Sequence, residues 1–319
     1  MKREWAPAAL ALRDAVRAVL ADRGGVEIAR SAEERPRVRG DDLRPALESV
    51  GVLDLDPLGD AEESEAAMLA VRACGAVVAP WPVARALTVP VKWRARWQAL
   101  YVVDGPVSHL EHADLFENAG AVPLGGDPLP RAASPTGSRG RAPLDPFGVP
   151  VEIRGPVGAA ALPDRALLMS FVLDGFWMAG ALETVALQAA GYAGTRRQFG
   201  KPIGRFGEIR WRLADIAVAT DGLDELATYT WFQVHRGRAT LADAFALRLG
   251  MLEAADSVLR HAHQVFGAIG LCEEHDLTLL DRHLTPALLR PASLSRTRAL
   301  LLEAVNRHGF RGTFDVPHR

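Results

Sequence analysis

Apolar positions near the start of the chain recur every three or four residues, which is the spacing of one face of an α-helix. This pattern predicts a helix over residues 7–22, ended by Gly24 and Gly25. In "DAEESEAAMLAVRACGAVV" a second apolar face is formed by Ala67, Ala70, Val71 and Cys74. Between the two helices, "SAEERPRVRG" predicts a loop and "DDLRPALESVGVLDL" a short capped helix. The chain therefore begins with a helical unit.

The pattern changes between about residues 80 and 163. Helical periodicity is lost, and prolines and glycines crowd together in "SPTGSRGRAPLDPFGVP". Short runs rich in β-branched residues, such as "ALYVVD" and "VPVEIRGPV", are typical of strands. This middle part predicts a small, loop-rich β unit.

Helical periodicity returns at Arg165 and continues almost to the end of the chain. The first long helix has one apolar face, made of Leu168, Phe171, Val172, Phe176, Ala179 and Leu182. Three further helices are predicted over residues 208–234, 241–266 and 293–306, ending near Gly237, at Gly267 and Gly270, and near Gly309. Long helices joined by short turns predict an antiparallel four-helix bundle.

The predicted fold is thus mainly α, in three parts. Residues 1–88 form an N-terminal helical domain, residues 89–163 a reduced β-rich middle domain, and residues 164–319 the four-helix bundle. The composition agrees with an ordinary globular protein, because hydrophobic residues make up 49% and charged residues 24% of the 319 residues.

Charge and cysteine content exclude several classes of function. The net charge is −2 and no basic stripe is present, which argues against a nucleic-acid partner. Two distant cysteines, Cys74 and Cys272, argue against a disulfide framework or a cysteine metal site and favour a reducing, cytoplasmic location. No run of 18 uncharged apolar residues occurs, so no membrane span is predicted.

One stretch, "RRQFGKPIGRF", interrupts the helical pattern with arginines, a phenylalanine and a Gly-Lys-Pro turn. With its flanks, "YAGTRRQFGKPIGRFGEIRWRLADI" (192–216) resembles the signature of the acyl-CoA dehydrogenases, and "HAHQVFGAIG" (261–270) resembles that family's second bundle motif. "LESVGVLDL" and "AVRACGAVVAPWPV" look like its leading helical domain. The resemblance implies a helical domain, a β domain and a four-helix bundle, with FAD as the cofactor.

The resemblance also implies which residues meet the cofactor. In the family, the corner of the first motif reaches across a subunit interface to the FAD of the neighbouring chain. A planar guanidinium suits a pyrophosphate, since its donors meet two oxygens at once, so Arg196 is the candidate for that contact. The other cofactor-binding candidates are Gln198, Phe199, Gln264 and Gly267. The alternative for an arginine pair alone is a solvated cap at a helix end.

The catalytic base of the family is missing at both of its usual positions, so no catalytic residue is predicted in this chain. The family's chemistry needs a carboxylate, and the two positions fall on Pro291 and Ser170. Asp174 is a substitute with little support, because an acid on a helix usually faces solvent or caps a neighbour. Ala268 also replaces a usual glycine of the second motif, and the flavin-cradling segments are not found between residues 100 and 163.

The motif residues that this chain does contain are those that, in the family, contact the FAD of a neighbouring subunit. The chain therefore looks similar to the smaller, non-catalytic subunits of heteromeric α2β2 acyl-CoA dehydrogenases, some of which desaturate steroid side-chain thioesters. A paralogous subunit, an acyl-CoA substrate and an electron-transfer flavoprotein are the implied partners. Two alternatives stay open: an inactive structural or regulatory member that binds no flavin, and a homomeric enzyme with its base at Asp174.

Two other groups of residues do not indicate a catalytic or metal-binding function. Four histidines lie close in sequence, but His261 and His263 are two apart on a helix and point to different faces, so no metal site is predicted. In "CEEHD", Glu273 and Glu274 are expected to favour the start of the next helix. Trp211 is expected in the core or at an interface.

Overall fold

The computed structural model describes residues 4–139, 142, 144–158 and 160–308. The N-terminal part contains five α-helices, one π-helical turn, Arg39–Leu43, and one 3-10 turn, Val52–Asp54. The helices are α1 (Pro7–Asp22), α2 (Glu27–Glu34), α3 (Arg44–Ser49), α4 (Ala61–Ala76) and α5 (Val83–Leu87). Helix α1 has the predicted bounds, and α4 begins where the Asp60 carboxylate accepts a hydrogen bond from the backbone N–H of Glu63.

Five strands follow, namely β1 (Ala99–Val103), β2 (His109–Glu111), β3 (Ala119–Pro123), β4 (Arg131–Pro135) and β5 (Gly148–Pro156). They form one sheet in the order β1-β3-β4-β5-β2, in which β1 and β3 are parallel and the other pairs antiparallel. Every residue of β1 is buried, which explains why "ALYVVD" reads as a continuous apolar run. The small central sheet predicted from the sequence is confirmed.

The C-terminal part contains five more helices and a short hairpin. They are α6 (Asp164–Thr195), the hairpin strands β6 (Arg197–Gln198) and β7 (Lys201–Pro202), α7 (Gly207–His235), α8 (Leu241–Phe266), α9 (Asp276–Leu289) and α10 (Leu294–His308). Helices α6, α7 and α8 pack on one another, and α10 packs on α8. The predicted bundle is confirmed, and α8 has the predicted bounds.

Helix α9 is an addition that the predicted set of four long helices did not include. It contains Pro286 and is only 14 residues long, so its pattern is weak. Its N-cap is His275, whose ring accepts a hydrogen bond from the backbone N–H of Leu277. Glu273 and Glu274 stand directly before this N-cap, and their expected favourable effect on the helix start stays a prediction. The predicted helix end near Gly309 lies outside the described residues.

Helix α6 joins the three parts of the molecule. It crosses α4 so closely that a Cβ built on Gly75 would lie 1.9 Å from the carbonyl oxygen of Trp177, and one on Gly180 would lie 2.0 Å from that of Arg72. Only glycine fits at either point. Among the described helices, α6 alone is long and apolar enough to cross a membrane, but 83% of that window is buried, as in the core helix of a globular protein.

Candidate functional site

The two sequence motifs meet at one end of the bundle. Tyr192, in the first motif, has its ring centroid 4.8 Å from that of Phe266, in the second. Arg196 caps the end of α6, where its backbone N–H donates to the carbonyl of Tyr192 over 2.8 Å. Gln264 and Gly267 flank Phe266 in the chain. We call the surface formed by Arg196–Arg212 and residues 264–271 the hairpin end.

Phe199 stands out on the hairpin end because both its backbone and its exposure are unusual. Its φ angle is +49° and that of Gly200 is +77°, which matches a two-residue turn with left-handed residues at both positions. Glycine and asparagine are favoured there, whereas an aromatic residue is strained. The Phe199 side chain is also 90% exposed. Strain in an exposed aromatic residue is a feature that often accompanies a binding site.

The hairpin end carries a strong local charge. Residues 196–212 contain six cations and one acid, although the whole chain has a net charge of −2. Arg212 pairs with that acid, Glu208, over 2.6 Å. Within the described part of the chain, Arg196, Arg205 and Arg210 make no ion pair. Among the described residues, the positive charge of this surface is thus compensated only in part, by Glu208.

All five predicted cofactor-binding residues are exposed on the hairpin end; they are Arg196, Gln198, Phe199, Gln264 and Gly267. A Cβ built on Gly267 would meet open space, and Ala268 beside it is exposed too. Two large apolar side chains are exposed nearby, Ile269 at 46% and Leu271 at 71%. The structure brings the predicted residues to one surface, and their role toward a cofactor stays a prediction.

A second constellation lies inside the molecule and is centred on Arg85. Its Nε donates to Glu111 Oε1 over 3.1 Å, and its Nη1 lies 2.9 Å from Asp174 Oδ1. The side chains are only 12%, 21% and 16% exposed, respectively. One guanidinium therefore joins α5 to β2 and to α6. We call Arg85, Glu111 and Asp174 the ion cluster.

Burial and charge act in opposite directions on the pKa values within the ion cluster. At Glu111 burial is the largest influence and favours the neutral acid, but the charges of Arg85 and other nearby arginines together with the Arg85 hydrogen bond outweigh it and lower the pKa below its usual value. At Asp174 burial dominates and raises the pKa despite the same arginine. For Arg85 the two carboxylates outweigh burial and raise its pKa. The ion cluster thus consists of a protonated arginine between two carboxyl groups whose pKa values are shifted in opposite directions.

The ion cluster borders a pocket between the sheet and the helices. The pocket has about 690 Å³ of empty space when its open mouth is included, but only about 70 Å³ is open to the centre of a water-sized sphere. One water needs about 10–15 Å³ by that measure, so the interior holds a few waters rather than a large ligand. Trp81, Phe147 and Trp177 contribute its apolar walls.

A neutral histidine forms part of the same wall. Burial, followed by the Arg39 charge, holds the pKa of His112 well below its usual value. Arg39 is 1% exposed, pairs with Asp114 and lies 3.1 Å from His112 Nδ1. Because arginine only donates hydrogen bonds, Nδ1 must accept and the ring proton must sit on Nε2. The ring stacks on Phe147 at 4.5 Å.

The two family positions for the base both lie near the ion cluster. Ser170 is buried one helical turn before Asp174, and its hydroxyl donates to the carbonyl of Leu167 over 2.7 Å. Pro291 lines a smaller cavity whose wall also includes Arg85 and Glu111. The expectation that Asp174 faces solvent or caps a neighbour was wrong, because Arg85 supplies a buried counter-charge.

Sequence reasoning missed Arg85 and Glu111 altogether. A usable signal existed for one of them, since Arg85 is a lone cation in the apolar run from Trp81 to Leu87. The clustered histidines have separate partners: His261 lies 3.5 Å from Asp215, His263 lies 3.1 Å from Asp281, and His283 lies 2.7 Å from Glu33. No group of three metal-binding side chains occurs among the described residues.

Comparison with known families agrees with this geometry. Residues 173–290, which contain both motifs and most of the bundle, match the family described as acyl-CoA dehydrogenase, C-terminal domain. These residues belong to the acyl-CoA dehydrogenase family, and the chain has that family's fold.

Solved acyl-CoA dehydrogenase structures superpose along nearly the whole chain. The Tcur3481-Tcur3483 steroid ACAD aligns with a TM-score of 0.76 and 14% identity, covering 94% of this chain and 98% of that one. Glutaryl-CoA dehydrogenase from Mycobacterium smegmatis gives 0.76 and 18%, covering 97% and 96%. The ChsE4-ChsE5 complex from Mycobacterium tuberculosis gives 0.73 and 20%, covering 96% and 98%. Identities this low speak for the fold alone.

Proposed function

We propose that this chain is a subunit of an FAD-dependent acyl-CoA dehydrogenase that contributes FAD contacts across a subunit interface. A paralogous subunit supplies the catalytic base for α,β-desaturation of an acyl-CoA thioester. The observation that carries the proposal is Phe199, an aromatic residue held in a left-handed turn and 90% exposed among uncompensated cations. Such a surface is suited to an anionic, partly aromatic ligand presented by another chain.

The residues of the hairpin end fit one side of an FAD. Arg196 offers a free guanidinium, which can meet two phosphate oxygens at once. Gln264 offers an exposed amide, and Gly267 has no side chain to block the approach of a phosphate to the backbone. Phe199 supplies an apolar contact. All four face solvent in the single chain, so the FAD they contact would be held mainly by a neighbour.

The interior of the chain fits a flavin poorly. The ion cluster borders the interior pocket, and only about 70 Å³ of that pocket admits the centre of a water-sized sphere. Neither position carries an acid, since they are Pro291 and Ser170. The isoalloxazine ring and the catalytic base are therefore assigned to the paralogous subunit. When bound there, FAD supplies the hydride acceptor.

The substrate and the electron acceptor follow from the family. An acyl-CoA with a bulky, steroid-type acyl group is the proposed substrate, supported by the fold similarity to a steroid ACAD. The similarity to the ChsE4-ChsE5 complex supports a two-component assembly. An electron-transfer flavoprotein is the proposed acceptor.

The decisive experiment measures FAD per subunit pair after co-purification with the paralogous subunit. Arg196→Ala should reduce FAD affinity at least about tenfold, because it removes charge-assisted hydrogen bonds worth about 1.5–3 kcal/mol. Arg154→Ala is the matched control, since Arg154 is an exposed arginine in β5, remote in the chain from both motifs. Full FAD retention by the Arg196→Ala pair would overturn the proposal.

A homomeric enzyme with Asp174 as base is the second candidate. It is favoured by the burial of Asp174 beside the pocket and by its raised pKa. The two oxygens of Asp174 are nevertheless held by Arg85 at 2.9 and 3.1 Å, which keeps the carboxylate engaged. One FAD per chain in the protein purified alone, with activity lost in Asp174→Asn, would establish this candidate. A colourless pair would instead establish a structural subunit that binds no flavin.

A further inference from the structure

The wall of the interior pocket contains buried polar atoms that have no partner. Two of them belong to Trp81 and Asp145, which both line the pocket. Trp81 is only 3% exposed, yet its indole Nε1–H makes no hydrogen bond among the described residues. Asp145 pairs with Arg290 through Oδ2, and its buried Oδ1 has no donor among those residues. Buried polar groups normally have partners, so these two atoms indicate a bound polar molecule.

A third polar atom of this wall is the Nε2–H of His112. The backbone of His112 has a φ angle of +56°, a left-handed conformation that is uncommon outside glycine and often accompanies a functional site. The ring is held in place, because Phe147 stacks on it at 4.5 Å and Arg39 Nη1 donates to Nδ1 over 3.1 Å. Nε2 carries the remaining proton and makes no hydrogen bond among the described residues. His112 is thus a preoriented neutral donor.

Aromatic contacts bring the three residues to the same part of the wall. The ring of Trp81 packs edge-on against Phe116 with centroids 5.7 Å apart, and a single 3-10 turn separates Phe116 from His112. Asp145 lies two residues before Phe147, whose ring stacks on His112. Two donors and one acceptor are therefore gathered at one pocket from segments that are distant in the sequence.

The hydrogen-bonding groups decide the class of ligand. Trp81 and His112 only donate and need an acceptor, whereas Asp145 Oδ1 needs a donor. A small anion would satisfy the two donors but would be repelled by the carboxyl groups of Glu111 and Asp174, which line the same pocket. A small cation would satisfy Asp145 but leave two buried N–H groups unpaired, which is costly. A neutral molecule with a carbonyl and an N–H group satisfies all three atoms.

The size of the pocket limits the ligand to a few atoms. About 70 Å³ is open to the centre of a water-sized sphere, and one water needs about 10–15 Å³ by that measure. The interior therefore accommodates roughly five waters, or a molecule of about four or five non-hydrogen atoms. The apolar walls, which include Trp177 and Phe147, suit a methyl or methylene group beside the polar end.

We propose that the interior pocket binds a small neutral molecule of the amide type. Its carbonyl accepts hydrogen bonds from Trp81 and His112, and its N–H group donates to Asp145. Arg39 is a positioning residue, because it keeps the proton of His112 on the nitrogen that the ligand meets. The hairpin end contributes nothing to this site, so the inference is independent of the proposed FAD contacts.

The test compares three probes of one shape that differ in charge, namely acetamide, acetate and acetamidinium. The readout is the indole N–H signals of the ¹⁵N-labelled full-length protein, in which Trp81 and Trp177 are the pocket-lining members of seven tryptophans. Acetamide should shift these two signals to saturation with a dissociation constant of roughly 1–10 mM. Each ion should bind at least about fivefold more weakly. A shift that does not saturate, or tighter binding of either ion, would overturn the proposal.

A matched pair of variants tests the contact itself. Trp81→Phe keeps an aromatic ring and removes one donor, so the Trp177 signal should report acetamide binding at least about fivefold weaker. Trp97→Phe is the control, because Trp97 is 5% exposed and is not among the residues that line the pocket. Its affinity for acetamide should stay within about twofold of wild type. Unchanged affinity in a folded Trp81→Phe protein would contradict the proposal, and the probe series on the wild-type chain decides alone if that variant does not fold.

The FAD content of the pair with the paralogous subunit separates this site from the hairpin end. Saturating acetamide should leave that content unchanged. Release of FAD by acetamide would assign the pocket to the flavin and overturn the amide site. Full FAD retention by Arg196→Ala, which would overturn the FAD proposal, leaves the acetamide result unaffected.

Discussion

The hairpin end and the ion cluster differ in whether their charged side chains are paired. Around Arg85, two carboxylates at 2.9 and 3.1 Å compensate one buried guanidinium. At the hairpin end, six cations face a single acid and an aromatic side chain is left in solvent. A protein interior tolerates a charge only when it is paired, whereas an exposed surface can keep unpaired charge for a partner. The charges of the ion cluster are therefore paired within the chain, whereas we propose that the hairpin end is paired with groups on another chain.

Removing the central cation should have the largest effect on stability. Arg85→Met leaves the largely buried Glu111 and Asp174 without the guanidinium that hydrogen-bonds to both, which should lower the free energy of unfolding by about 3 kcal/mol. Urea titration followed by circular dichroism measures this. Arg205→Met, at the hairpin end, should change stability by less than about 0.5 kcal/mol, because that side chain is exposed and unpaired among the described residues. Equal losses of unfolding free energy in the two variants would contradict the proposed difference between the ion cluster and the hairpin end.

Acid titration should distinguish the two carboxylates of the ion cluster. The pKa of Glu111 is lowered from 4.5, so its contribution is present above the unfolded value and is lost as pH falls through the folded pKa. The pKa of Asp174 is raised from 3.8, so its contribution is present below that value and is lost as pH rises through the folded pKa.

Unfolding free energies between about pH 3 and 6 measure both effects. Glu111→Gln should reduce the loss of unfolding free energy that occurs as the pH falls. Asp174→Asn should reduce the loss of unfolding free energy that occurs as the pH rises. Each effect should be smaller than the loss caused by Arg85→Met, because the remaining carboxylate keeps Arg85 as its counter-charge. Slopes of the same sign would contradict the assignment.

The smallest effect is expected at Phe199, and it should be a gain in stability. Phe199→Asn replaces a strained residue with one that accepts a left-handed turn, which should raise the free energy of unfolding by about 0.5–1 kcal/mol. The side chain is 90% exposed, so little burial is lost. The same variant should retain less FAD in the complex, which would show that the strain serves binding. A loss of stability would mean that the turn is held by other contacts.

Local patterns in the sequence predicted most of the fold. Helices α1 and α8 have the predicted bounds, β1 falls within its predicted strand segment, and β5 begins one residue before its own. These elements are long and strongly periodic or are flanked by turn residues, so neighbouring residues carry the signal. The bounds of helix α9 were not predicted and it was not among the four long helices, because Pro286 and its short length weaken the pattern.

The candidate sites divide in the same way. The hairpin end could be predicted because its residues are contiguous in two short motifs, which meet through the Tyr192–Phe266 contact. The ion cluster could not be predicted, since Arg85 is 26 residues from Glu111 and 89 from Asp174. No pattern among neighbouring residues predicts contacts between positions this far apart in the sequence.

By itself, the sequence determined the helices, the small sheet, the cationic hairpin and the absence of an acid at Pro291 and Ser170. Only the tertiary structure decided that Asp174 is buried against Arg85 and that Trp211 on α7 is 72% exposed. The physical reason is that periodicity depends on neighbours along the chain, whereas the burial of a charge or the exposure of an aromatic ring depends on which distant elements pack beside it.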